Sequence, residues 1–157
     1  MPPAVSAWIQ LVLATPAILW TGWPFFTRGW ASVDARVGKR GPKFRFINTH
    51  LEVFSASIRD RQTRALLDGP ADTRRPVIIA GDFNDWMRTL SLSLQGSDLK
   101  LATNGKVKHP LTFPAFLPLL SLDRVYYKGL ALEDFGVLDG RWGKSDHLPL
   151  VADFSRQ

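Results

Sequence analysis

The run Pro76–Ala80, PVIIA, constrains the fold more than any other stretch of this chain. It is short, unbroken and rich in branched side chains, so both of its faces must be buried, as in a strand inside a covered sheet. Gly81 stops it. Around it the chain alternates between strand-like and helix-like segments. Lys43–His50, KFRFINTH, puts Phe44, Phe46 and Asn48 on one face of a strand and Arg45, Ile47 and Thr49 on the other. The stretch 57–67 reads as a helix with Ile58, Ala65, Leu66 and Leu67 as its apolar side, ended by Gly69-Pro70. The stretch 86–94 reads as a short helix, 122–127 and 148–154 as strands, and LALEDFGVL between them as a weaker strand. The expected class is α/β, with a sheet covered by helices.

A chain of 157 residues can hold one domain with a real core and leaves little room for a second. Its 20 Lys and Arg against 14 Asp and Glu give a net charge of +6, which favours phosphate-rich partners such as nucleic acid or anionic lipid. The absence of Cys excludes a disulfide framework, a thiolate metal site and a Cys nucleophile. A metal here must be held by oxygen or imidazole.

Ahead of this pattern lies a segment of another kind. Ala4–Phe26 carries no ionised side chain, and its length is close to the roughly 20 apolar residues of a membrane-spanning helix. Trp8, Trp20, Trp23 and Trp30 include aromatics near both ends of the stretch, as interfacial belts do. Basic residues follow the run and none precedes it, which puts the rest of the chain on the cytoplasmic side of a membrane anchor. The competing reading is a buried helix of a cytoplasmic protein. The string AWIQLVLATPAILWTGWPFFTRGWASV, Ala7–Val33, resembles a transmembrane segment of heavy-metal-transporting P-type ATPases. That family's Cys-Pro-Cys ion site and Asp-Lys-Thr-Gly-Thr loop are missing, so transport is excluded. The expected division is an apolar helix over 1–33, a basic junction over 34–43 and a second unit over 44–157.

The chemistry-bearing residues stand at strand ends. In Gly81-Asp82-Phe83-Asn84 the glycine allows a sharp turn, and Asp82 and Asn84, two apart in extended backbone, project to one side. A carboxylate and a carboxamide can then address one phosphate, although Gly-Asp and Asn-Asp pairs are also ordinary turn formers. Ser145-Asp146-His147 offers a hard oxygen ligand beside an imidazole that moves protons near neutral pH. Asp123 opens another strand and could fix the imidazole's tautomer; the plainer reading makes it a surface partner of Arg124. His50 ends a strand in Asn48-Thr49-His50-Leu51-Glu52, where a lone histidine is more often structural. His109, in a loop beside Pro110, earns no role.

Taken in order, NTHLE, a helix bearing Arg59 and Gln62, GDFND, LTFPA, LDRV and SDHLP resemble the endonuclease/exonuclease/phosphatase superfamily over about residues 44–154. The resemblance implies half of a two-sheet α/β sandwich and divalent-metal-dependent hydrolysis of a phosphoester, with Mg²⁺ or Mn²⁺ as cofactor. The substrate it implies is a phosphodiester, in nucleic acid or a phospholipid head group, or a phosphomonoester. It gives Asp82 the nucleophilic water, or a place on the metal, and gives Asn84 a phosphate contact. It makes Asp146 a metal carboxylate, His147 the imidazole on the scissile phosphate with Asp123 as its orienter, and His50 a second active-site histidine. Family members also carry a first half that supplies an Asn and a Glu metal ligand, and the apolar segment stands in its place. The alternative reading is therefore an inactive truncated or fused remnant, or a membrane-tethered phosphate-binding module. Without the first sheet's strands, the second sheet is expected to expose an apolar face.

Overall fold

The structure, a computed structural model, describes residues 29–36, 39, 41–87, 89, 90, 94, 96–105, 109–138 and 145–156. The apolar run 4–26, with the helix and membrane association expected of it, lies outside them. Among the described residues no helix is long and apolar enough to cross a membrane. The elements are β1 (Trp30–Arg36), β2 (Lys43–His50), α1 (Ala56–Asp68), β3 (Val77–Asp82), β4 (Lys100–Leu101), β5 (Asp123–Lys128), β6 (Leu130–Val137) and β7 (Leu150–Arg156). They form a five-stranded sheet in the order β1-β2-β3-β5-β4 and a two-stranded sheet of β6 and β7. Only β2 and β3 run parallel; the other pairs are antiparallel.

Each face of the large sheet has its own core. Ile47, Val77, Ile79 and Tyr126 pack with Leu66 of α1 and with Phe83 and Leu90 on one side. On the other, Val125 and Tyr127 meet Phe135 of β6, with Ile78, Ala80, Leu150 and Phe154 alongside. PVIIA is thus covered on both faces, as its unbroken apolar character predicts. The strand continues past Ala80 to Asp82, so Gly81 lies inside it and does not end it.

Three sequence expectations change. Trp30–Val33, grouped with the apolar segment, and Asp34–Arg36, grouped with the junction, form one edge strand paired with β2 from Trp30↔Thr49 to Arg36↔Lys43. Asp34 there binds Arg45 at 2.7 Å and Arg75 at 2.5 Å, which explains a carboxylate in a basic stretch. The helix spans Ala56–Asp68 and buries Arg59, Gln62, Thr63 and Leu66, whereas Ile58 is exposed. Three polar residues hold its inner face because they hydrogen-bond backbone: Thr63 Oγ1 donates to the Arg59 carbonyl at 2.9 Å, and Arg59 and Gln62 bind the loop after β2. Of the helix expected over 86–94, Trp86 and Met87 form a turn, Leu90 is helical, and much of the remainder falls outside the described residues.

The face of β1 and β2 away from α1 is the open one. Val33 is 57% exposed there, level with Phe46 in the register, and Ala35 stands level with the half-buried Phe44.

Candidate active site

The strand register assembles the site. His50 ends β2 level with Asp82 at the end of β3, and Asp82 in turn stands level with Asp123 at the start of β5. Three of the candidate side chains, from distant parts of the chain, therefore sit in one row at one end of the sheet, where α/β sheets open their ligand sites. His50 is exposed and Asp82 is half-buried.

The backbone around Asp82 departs from simple extension. Gly81 has φ +140°, and a Cβ at that position would lie 2.1 Å from the carbonyl oxygen of Thr49 on β2. The glycine serves close strand approach and not the sharp turn expected of it. Asn84 has φ +49°, the left-handed region that Asn tolerates better than most residues. Its N–H donates to Asp82 Oδ1 at 2.8 Å and its Nδ2 donates to the Leu51 carbonyl at 2.8 Å. Asp82 and Asn84 are thus joined through a local side-chain turn, and the extended geometry expected for the pair does not form. Asn84 is 5% exposed, so its carboxamide is fixed rather than free to swing.

His147 is the most closely held group. Its Nδ1 lies 2.7 Å from Asp123 Oδ2, and its ring lies 4.9 Å from the ring of Phe113. The loop bearing it is tied down by Thr112–Ala115: the Ala115 N–H donates to the Asp146 carbonyl and the Leu148 N–H to the Thr112 carbonyl. Thr112, fully buried, also accepts through its hydroxyl from the Asp123 N–H at 3.4 Å. One buried residue thereby fixes both partners of the pair. The reading of Asp123 as a surface partner of Arg124 is replaced, because Asp123 faces His147 and Arg124 points to the opposite face.

Electrostatics follow this geometry. Burial by itself lowers the His147 pKa, but the hydrogen bond and charge of Asp123, with the charges of Asp82 and Asp146, outweigh it and hold the imidazole above its ordinary 6.5. Burial pushes the Asp82 carboxyl above the usual carboxylate range. The Asn84 N–H opposes that shift, Asp123 adds to it, and His147 and His50 also oppose it.

Beneath this row of candidate residues lies a second row of buried side chains that sequence reasoning missed. Asp85, fully buried, receives Arg124 Nη1 at 2.8 Å on its carboxylate and Arg124 Nη2 at 2.8 Å on its carbonyl. The same carboxylate accepts from the Thr89 and Leu90 N–H groups. Asp85 follows Asn84 and Arg124 follows Asp123, so this pair locks the turn to β5 from behind. The available signal was position: each is adjacent to a functional residue and must point the other way if its neighbour faces the site.

Among the described residues no group of three or more His, Asp or Glu side chains is arranged to hold a metal ion. Asp82 and Asp146 are nonetheless hard oxygen donors that both act on the same imidazole. Two carboxylates suit Mg²⁺ or Mn²⁺ in kind, since such ions are commonly held by one or two carboxylates together with water and substrate phosphate.

Comparison with known proteins agrees with this architecture. Escherichia coli YbhP is 38% identical over 82 residues, 50% of this chain and 32% of that protein. The chain therefore spans about a third of that relative's length. A stretch of 28 residues, 18% of the chain, is 71% identical to the copper-exporting P-type ATPase of Legionella pneumophila, of which it covers 4%. The likeness to P-type ATPases extends over a short segment only. An endonuclease/exonuclease/phosphatase from Bacteroides vulgatus superposes with a TM-score of 0.68 at 16% identity, over 82% of this chain and 55% of that one. The mannosyl-6-phosphatase Bt3783 of Bacteroides thetaiotaomicron gives 0.62 at 17%, over 80% and 56%. These likenesses show a shared α/β sandwich fold. The profile of the Endonuclease/Exonuclease/phosphatase family matches residues 5–147, starting well ahead of Phe44, and the chain belongs to that family.

Proposed function

We propose that this domain hydrolyses a phosphoester in a divalent-metal-dependent reaction centred on Asp82, Asn84, Asp123, Asp146, His147 and His50. The observation that carries the reading is the Asp123–His147 pair at 2.7 Å, brought level with Asp82 by the β3–β5 register. With Nδ1 engaged by Asp123, the imidazole's Nε2 is its remaining hydrogen-bonding atom, and the raised pKa keeps more of it in the protonated, donating form near neutrality. That form neutralises charge building on a phosphoryl oxygen. Asp82, its pKa raised by burial, is a better proton acceptor than an exposed carboxylate and takes the proton of the attacking water. Asn84, clamped by Leu51, directs its other amide hydrogen to phosphate, and His50 contributes a second imidazole on the far side of Asp82. Asp82 and Asp146 would hold Mg²⁺ or Mn²⁺, which when bound supplies further neutralisation of phosphoryl charge.

One protein of similar fold is a mannosyl-6-phosphatase, so both ester types belong in the test. Purified folded protein is assayed with Mg²⁺ or Mn²⁺ against a chromogenic phosphodiester and the matching monoester, beside Asp82→Ala and His147→Ala. Metal-dependent turnover lost in both variants supports the reading; none on either ester would sink it. A second reading is a phosphate-binding module without turnover, whose exposed face at Val33 would meet a partner surface. Phosphate binding that survives in a protein without turnover would select it.

A further inference from the structure

We infer that Arg59 and Gln62, on the inner face of α1, are positioning residues for the active site. They hold the loop after β2 where it receives the Asn84 carboxamide and keeps His50 beside Asp82. The inference rests on the assignment of Asn84 and His50 to the site.

The loop is fastened on three sides. From above, the Leu51 N–H donates to the Asp82 carbonyl at 2.9 Å while the Leu51 carbonyl accepts from Asn84 Nδ2. From below, Gln62 Oε1 accepts from the Glu52 N–H at 2.9 Å, and Arg59 Nη1 donates to the carbonyls of Glu52 at 3.0 Å and Val53 at 2.9 Å. From the side, the His50 N–H donates to the Gly29 carbonyl at 2.8 Å. Gly29 packs on Gln62 so closely that a Cβ there would lie 2.9 Å from the Gln62 carboxamide carbon. Consecutive residues His50, Leu51, Glu52 and Val53 are therefore each held through backbone, and two of the five anchoring residues come from α1.

The choice of side chains argues for this role over simple filling. Arg59 is 2% exposed, and its guanidinium lies in the first turn of α1, the positive end of the helix dipole. A buried cation there is costly, and an apolar side chain of similar size would fill the space with less penalty. What an apolar residue cannot do is bind two successive carbonyls of one loop. Gln62, 6% exposed, likewise supplies an acceptor that a leucine would lack. Both contacts end on the peptide units directly after Leu51, the residue that holds Asn84.

The test uses the full chain with ¹⁵N labelling. Gln62→Leu removes the acceptor at nearly constant volume, Gln62→Glu keeps an oxygen in place, and Gly29→Ala, at φ +69° just before β1, both strains the backbone there and presses on Gln62. In Gln62→Leu and Gly29→Ala, the Glu52 amide should exchange with solvent about tenfold faster and the Asn84 side-chain amide resonances should move. Gln62→Glu should restore both. In the ester assay, kcat should fall about tenfold in Gln62→Leu with KM changed far less, the pattern of an interaction felt in the transition state. Arg59→Met should show the same signs more strongly and Arg59→Lys should recover part of them. If Arg59→Met does not fold, the Gln62 pair still decides. A folded Gln62→Leu protein whose Asn84 resonances match the parent's overturns the inference, even if its stability falls. A parent with no turnover defeats the proposed function, while the Asn84 resonances still judge the positioning role.

Discussion

The two flanks of Asp82 are built differently. On the β5 side, His147 is held by its own side chain, through Asp123 at 2.7 Å and the Phe113 ring at 4.9 Å. On the β2 side His50 is exposed, and the loop it opens is fastened through backbone, by Gly29, Asp82 and the α1 residues beneath. A side chain fixed by a charged neighbour has its protonation set along with its orientation. The β5 flank thus sets the protonation of its imidazole as well as its orientation, and the β2 flank is placed by the loop that follows its strand.

The largest break in this contrast should come from Asp123→Asn. It keeps the shape and removes the charge that stabilises the imidazolium, and turnover in the ester assay should fall ~10²–10⁴-fold. His50→Ala should cost less in kcat, because His50 is exposed whereas His147 is half-buried against Asp123; equal losses would erase the distinction between flanks.

Next in size is the lock shared by both flanks. Arg124→Met leaves the Asp85 carboxylate buried without its cation, at a site where the two side chains are 3% and 0% exposed. Urea unfolding should show a loss of about 3–5 kcal/mol, the usual result of breaking a buried ion pair from one end. A loss under about 1 kcal/mol would mean that water reaches Asp85.

The proton state of His147 gives a smaller, signed effect. Its pKa in the folded chain is above the ordinary 6.5. A group raised on folding adds stability that is fully present below the unfolded value and disappears as pH rises through the folded one. Stability measured upward from about pH 6 should therefore decline through the His147 titration, and Asp123→Asn should flatten that decline. An NMR titration midpoint at or below the ordinary histidine value in the parent would contradict the assigned pairing.

The smallest effect concerns the helix under the β2 flank. Ser55 caps α1, its hydroxyl accepting from the Ile58 N–H at 3.4 Å. Ser55→Ala should lower stability by ~1 kcal/mol and leave the His147 titration unmoved, since α1 supports the other flank.

That the candidate residues share one row was legible from sequence because each sits at the end of a periodic segment: His50 after KFRFINT, Asp82 after PVIIAG, Asp123 before RVYY. The rows of partners beneath were not. Arg59 and Gln62 are polar residues on a helix, and periodicity assigns such residues to the solvent side unless their hydrogen-bond partners are known. The Asp85–Arg124 pair joins residues 39 apart, a separation that no local pattern reports. Nor does any local pattern report the left-handed φ of Asn84, because it depends on the Leu51 carbonyl 33 residues away. β1 was hidden for another reason: WASVDAR alternates too weakly to stand out between an apolar run and a basic one, and only its pairing with β2 defines it.

Gly81 also has a part to play while the chain is folding. β3 presses on Thr49 with a backbone angle that only glycine takes readily. Sliding β3 by one residue in either direction would bring Ala80 or Asp82 to that point, where keeping the same close approach would demand the φ near +140° that neither takes readily. The missing side chain therefore works as a key for alignment. The strands close fully in the one registration that sets His50 beside Asp82, so a misaligned sheet is rejected by steric fit before any chemistry can be tried.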